Sequence, residues 1–111
     1  MDAAPLQPPA NPYGVKRASV ECAGSRMGLP VGVELRVGRD PSRVSLLVED
    51  PRVSGLHASL RFDGSVVSIR DEGSSLGVVL DGAPIARGAW VDIPAGAQLA
   101  LGPVPLAVSV E

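Results

Sequence analysis

The stretch Ala58-Ser59-Leu60-Arg61-Phe62-Asp63-Gly64-Ser65-Val66-Val67-Ser68-Ile69-Arg70 decides the fold class. Ala58, Leu60 and Phe62 alternate with Ser59 and Arg61, the period of a strand with one buried face. Asp63-Gly64 then interrupts the run with two residues that accept positive φ, and a second apolar run follows. That arrangement predicts a β-hairpin.

The same grammar extends in both directions. Val20 and Cys22 alternate with Ser19 and Glu21; Val33, Leu35 and Val37 alternate with Glu34 and Arg36; Leu106, Val108 and Val110 alternate with Ala107 and Ser109. Asp81-Gly82 and Gly102-Pro103 mark further turns. No window holds a helical period, and the 13 glycines and 11 prolines would interrupt one. Many short strands at close spacing predict an all-β sandwich or barrel. The chain of 111 residues has room for a single such domain.

Residues 1–16 stand apart. Pro5, Pro8, Pro9 and Pro12 crowd a segment with little to pack, so a proline-rich disordered tail is expected there and the domain over residues 17–111. With 45% apolar residues but only Tyr13, Phe62 and Trp90 as aromatics, the core must be aliphatic. Trp90, beside Val91 and Ile93, is expected to join it.

Bulk charge narrows the function. A net charge of −2 gives no field to attract nucleic acid or an anionic membrane, and no apolar stretch reaches the length of a span. Cys22 is the only cysteine, which excludes an internal disulfide and any multi-cysteine metal site; on its strand it should be a small buried hydrophobe. The composition fits a reducing, cytoplasmic setting. No secretory leader is legible at the N-terminus.

Three segments remain unexplained by strand patterning. Gly38-Arg39 follows one strand, Ser54-Gly55-Leu56-His57 precedes another, and Asp71-Glu72-Gly73-Ser74-Ser75-Leu76-Gly77 follows a third. Together they offer a guanidinium, hydroxyls and glycine-rich backbone, a set suited to phosphate. Ser54 and His57 could also suggest a nucleophile and base, but no third group is identifiable and the spacing is no hydrolase signature. No enzymatic constellation, cofactor or metal site is expected.

The order Gly-Arg, Ser-x-x-His, then a serine-rich glycine loop resembles the forkhead-associated (FHA) domain, from about Ser19 to the C-terminus. The resemblance implies a β-sandwich of about eleven short, mostly antiparallel strands that reads phosphothreonine peptides. It assigns Arg39 and Ser54 to the phosphate and aligns Ser75 with a third phosphate contact. It gives His57 the role of bracing the recognition loops, with Gly38 and Gly77 as turn glycines. The family's Ser-x-Asn-Gly-Thr run departs here to Ser74-Ser75-Leu76-Gly77-Val78, so the asparagine that holds the ligand's main chain is replaced by Leu76. Gly55 likewise lacks the polar side chain often found after the serine.

Alternatives stand beside these roles. Arg39 could pair with Asp40 or Asp71 as an ordinary surface arginine. Arg52 could contact an acidic side chain beyond the phosphate, or pair with Glu49 or Asp50, and Arg43 has less positional argument still. The function expected is a phosphothreonine-peptide-binding adaptor in kinase-linked signalling. The alternative is a degenerate FHA-like domain acting in phosphate-independent protein interaction or as a structural part. The chain contains no threonine, so a phosphothreonine ligand must come in trans from another protein. Abundant Ala, Gly, Val and Arg with Lys16 as the single lysine suggests a bacterial source, and hence a Ser/Thr kinase or a secretion-system component as partner.

Overall fold

The computed structural model describes residues 16–111. The expected tail at residues 1–16 therefore lies, apart from Lys16, outside the described residues. Eleven strands form two sheets that pack face to face. In chain order they are β1 (Ala18–Cys22), β2 (Ser25–Leu29), β3 (Leu35–Gly38), β4 (Leu46–Leu47), β5 (Ala58–Phe62) and β6 (Val67–Asp71). Then follow β7 (Val78–Leu80), β8 (Ala83–Pro84), β9 (Val91–Ile93), β10 (Leu99–Leu101) and β11 (Val104–Val110). One sheet has the order β2-β1-β11-β10-β7-β8 and the other β4-β3-β5-β6-β9. Pairing is antiparallel except between β3 and β4.

Alternation sorts the side chains as the strand pattern requires. Leu60, Phe62, Val67 and Ile69 face inward from β5 and β6 and meet Val20, Cys22, Leu101 and Leu106 of the opposite sheet in one buried cluster. Each large member contributes about 2 kcal/mol by leaving water. Phe62 is the one aromatic in that core.

The turns follow local chemistry. Asp63 Oδ1 accepts from the N–H groups of Ser65 and Val66 at 2.8 and 2.7 Å, and Gly64 takes φ +98 between β5 and β6. Asp81 and Gly82, at φ 51 and 84, join β7 to β8 with both central residues left-handed, as a two-residue hairpin demands.

Three core expectations are corrected. Val33 is 47% exposed, because β3 begins only at Leu35, and Val110 is 40% exposed at the free end of β11. Trp90 is half-buried on the outer face instead of in the core. Val91 and Ile93 turn inward from β9, so period two sends Trp90 out. There the guanidinium carbons of Arg61 and Arg70 lie 4.1 and 4.5 Å from its ring centre. Arg70 also bonds Glu72 and Glu34, and Glu72 accepts from the Ser59 hydroxyl at 2.6 Å, which knits a polar network over that sheet.

Candidate functional site

The end of β3, the start of β5, the end of β6 and the start of β7 meet at one end of the sandwich. Registers Val37↔Ala58, Ala58↔Asp71 and Leu101↔Val78 fix them there. The three segments singled out by sequence are thereby brought together.

Backbone contact between the first two segments comes first. The N–H groups of Arg39 and Asp40 donate to the carbonyls of Ser54 and Gly55 at 3.0 and 3.1 Å. Gly38 makes this approach possible: a Cβ placed there would collide with the Gly55 carbonyl oxygen and stand 2.9 Å from that of Ser54. Its requirement is proximity, since its φ is not left-handed.

Arg39 is then aimed by one bond. Its Nε–H donates to the Val53 carbonyl at 2.9 Å, fixing the plane of the guanidinium. Its terminal amino groups have no ion-pair partner among the described residues, neither Asp40 nor Asp71. Asp40 is occupied by the N–H and hydroxyl of Ser42. Beside Arg39, the Ser54 hydroxyl oxygen accepts from the Ser75 N–H at 3.0 Å, leaving its own proton free to donate outward. That bond also ties the second loop to the third. The Ser75 side chain is exposed at the same junction.

His57 lies fully buried behind these groups. Its Nδ1 accepts from the Ser54 N–H at 3.1 Å and its Nε2 lies 2.7 Å from the Gly77 carbonyl. An acceptor on one side and a carbonyl on the other define the neutral Nε2–H tautomer. Burial pushes the imidazole below its ordinary value, partly opposed by the Gly77 carbonyl and the charge of Asp71. Both ring nitrogens serve backbone groups, so the ring is not placed as a base for the Ser54 hydroxyl. Gly77, at φ +82, also accepts from the Gly102 N–H at 2.8 Å, joining the third loop to the β10–β11 turn.

Arg52 stands differently from Arg39. Its Nε–H and Nη2–H donate to the two oxygens of Asp50 at 3.0 and 2.9 Å. The Arg52 hydrogen bonds draw the Asp50 carboxyl down to about 2. Leu76 is 53% exposed on the third loop, with its Cβ 2.8 Å from where a Cβ of Gly102 would stand. Val78, expected on the binding loop, is instead buried in the core.

Sequence reasoning missed two structural residues. Asp71 is buried, and its Oδ1 accepts from the N–H groups of Gly73 and Ser74 at 3.1 and 2.9 Å. Its Oδ2 has no hydrogen-bond partner among the described residues and lies 3.8 Å from Arg87 Nε. Ser74, not Ser75, is the buried serine of its pair, and its hydroxyl accepts from the Gly77 N–H at 2.9 Å. The turn signal at Asp71-Glu72-Gly73 was the only pointer to either.

Among the described residues no cluster of His, Cys, Asp and Glu could hold a metal, and no helix is long and apolar enough to cross a membrane. What the fold and loops define is an all-β sandwich with a guanidinium and two serines brought together on the loops of one end.

Comparison with known proteins places that class. A family model described as FHA domain matches residues 35–102, well over half of the chain, and the chain belongs to the FHA domain family. Its fold is similar to that of the FHA domain of the CT664 protein from Chlamydia trachomatis. The identity is 26% and the TM-score 0.74, over 83% of this chain and 95% of that one. The Rv1747 FHA-1 domain of Mycobacterium tuberculosis is 28% identical with a TM-score of 0.71, over 86% and 97% of the two chains. A MEK1 FHA domain, solved in complex with a phosphothreonine peptide of HOP1, shares the fold at 18% identity and a TM-score of 0.73, over 85% and 96%. A search of curated proteins finds no significant match.

Proposed function

We propose that this chain is a phosphothreonine-peptide-binding adaptor module. In this reading Arg39, Ser54 and Ser75 take the phosphate, His57, Gly38 and Gly77 support their loops, and Arg52 reaches an acidic side chain that competes with Asp50. FHA domains bind phosphothreonine peptides of partner proteins. The observation that carries the reading here is the state of Arg39. A guanidinium whose Nε–H is fixed on a backbone carbonyl, and whose two amino groups face no carboxylate among the described residues, has both amino groups to offer to the oxygens of a phosphate. The outward proton of the Ser54 hydroxyl stands next to it.

The ligand is a protein phosphorylated on threonine and supplied in trans, since the chain has no threonine of its own. A bacterial Ser/Thr kinase pathway or a secretion system, in the cytoplasm, is the setting that the composition supports. Leu76 cannot hold the ligand's main chain as an asparagine would, and one lost hydrogen bond weakens binding by about 1 kcal/mol. Affinity in the micromolar range or weaker is expected.

Titration with a threonine-phosphorylated peptide library, each member beside its unmodified twin, tests this directly. Phosphopeptides should bind better, and Arg39→Ala should erase the difference. If no phosphopeptide outcompetes its twin, the reading fails. The exposed Leu76, seated on Gly102, favours the second reading in that event: an apolar, phosphate-independent contact with a partner protein.

A further inference from the structure

A second guanidinium stands at the loop end without an assigned role. Arg43 lies in the loop between β3 and β4, its backbone N–H donating to the Asp40 carbonyl at 3.0 Å. A Cβ built on Gly55 would lie 3.5 Å from Arg43 Nη1 and 3.4 Å from Asp40 Cβ. Arg43 Nη1 therefore lies at ordinary van der Waals distance from where a Cβ of Gly55 would stand, against the space that a longer side chain there would enter. Gly55 is not in the left-handed region, so the backbone does not call for glycine there. What glycine provides is the shelf.

The shelf adjoins the anion-facing group. Gly55 directly follows Ser54, and its carbonyl receives the Asp40 N–H just as that of Ser54 receives the Arg39 N–H. Arg39 and Arg43 thus approach the same corner from one loop. Both also act on Asp40, whose carboxyl is held below its ordinary value first by Ser42 and to a smaller degree by these two cations. Arg43, like Arg39, has no ion pair among the described residues.

We propose that Arg43 is a second anion ligand, so that the site closes two guanidinia on one phosphomonoester. This rests on the phosphothreonine reading and deepens it. A phosphorylated threonine carries a charge of about −1.5 to −2 near neutral pH, more than one arginine neutralises. Because Nε of Arg39 is held by Val53, that residue has only its terminal amino groups to offer. Those and the Ser54 and Ser75 hydroxyls leave room on the phosphate oxygens for Arg43. Contact at the phosphate would offset the main-chain bond lost at Leu76. The ligand class sharpens accordingly to a dianionic phosphate, which a monoanionic carboxylate mimic does not replace.

The test uses N-acetyl-phosphothreonine-N-methylamide as probe, followed through the amide shifts of Gly55 and Ser75. Wild-type protein should saturate, and Arg39→Ala should abolish the response. Arg43→Ala should weaken affinity about tenfold, the scale of a hydrogen bond to a charged group in partly solvated surroundings. Gly55→Val should weaken it to the same degree by filling the shelf and displacing the guanidinium. In the Arg43→Ala background, Gly55→Lys should recover most of the loss by returning a cation to the same space, a rescue that a merely structural role would not produce. Wild-type affinity in Arg43→Ala, with Arg39→Ala still inactive, overturns this inference and leaves the phosphothreonine reading standing. No saturable response in the wild type overturns both.

Discussion

At its C-terminal end β5 turns into β6 through Asp63, whose Oδ1 accepts from N–H groups two and three residues ahead. At its N-terminal end the chain arrives through Ser54–His57. There the bonds run from Arg39 to Val53, from Ser75 to Ser54 and from His57 to Gly77, between loops far apart in sequence. The first end can form as soon as its own residues turn. The second needs both sheets in place, because Gly77 leads into one sheet and His57 into the other. A site built this way is as ordered as the sandwich beneath it, and its side chains are aimed before a ligand comes.

The largest test of that contrast is His57→Ala. It removes a buried ring and strands the Ser54 N–H and the Gly77 carbonyl, so stability should fall by about 3 kcal/mol in denaturant melts. Hydrogen exchange should show the amides of Ser54 and Ser75 losing protection before those of the Asp63 turn. A folded variant with wild-type melting would break the comparison. Gly38→Ala comes next. Its Cβ meets the Gly55 carbonyl, so the second loop must withdraw, at about 2 kcal/mol. Phosphopeptide binding should be lost even at temperatures where circular dichroism shows an intact sandwich.

Acid should separate the two ends further. The folded imidazole of His57 sits below its ordinary value of 6.5, so the unfolded chain takes up the proton first. Its contribution to stability is complete above pH 6.5 and is lost as pH falls from there toward the folded value. The proton must enter at Nδ1, where it faces the Ser54 N–H, donor against donor. Melting between pH 7 and about 5 should therefore slope downward with acid, and His57→Gln should flatten that slope. Asp40, Asp50 and Asp63, all held below their ordinary 3.8, add their losses only at lower pH. The smallest effect is expected from Asp63→Ala, a slight drop in Tm with ligand binding unchanged.

The same contrast explains what could be read in advance. The hairpin around Asp63-Gly64 and the alternations on β1, β3, β5 and β11 were legible because their causes lie within a few residues. The loop end was legible only through the order of its motifs, since no local rule brings Arg39 to Ser54. Asp71 and Ser74 escaped because a buried Asp and Ser look, in sequence, like any polar turn. Arg43 was given little weight because Gly55, which it lies against, belongs to another loop. Trp90 was misplaced by weighing its hydrophobicity over its phase, and Val33 by extending β3 beyond the point where pairing begins. Arg52 was open between two partners, and within the described chain its guanidinium rests on Asp50.

Cys22 sits 1% exposed on β1, which is hydrogen-bonded to β2 and β11 along both edges, and its Sγ donates to the Pro105 carbonyl at 3.3 Å. Burial, with the charge of Asp50 behind it, pushes the thiol up and keeps the reactive thiolate scarce. As the sole thiol of the chain, it is a built-in clock for the opening of the first sheet. The rate at which an alkylating reagent consumes it should track how often the β1 strand comes loose. A phosphopeptide held at the loop end should slow that clock by the full measure of its affinity if the sandwich opens as one unit, and leave it running if the loop end opens alone.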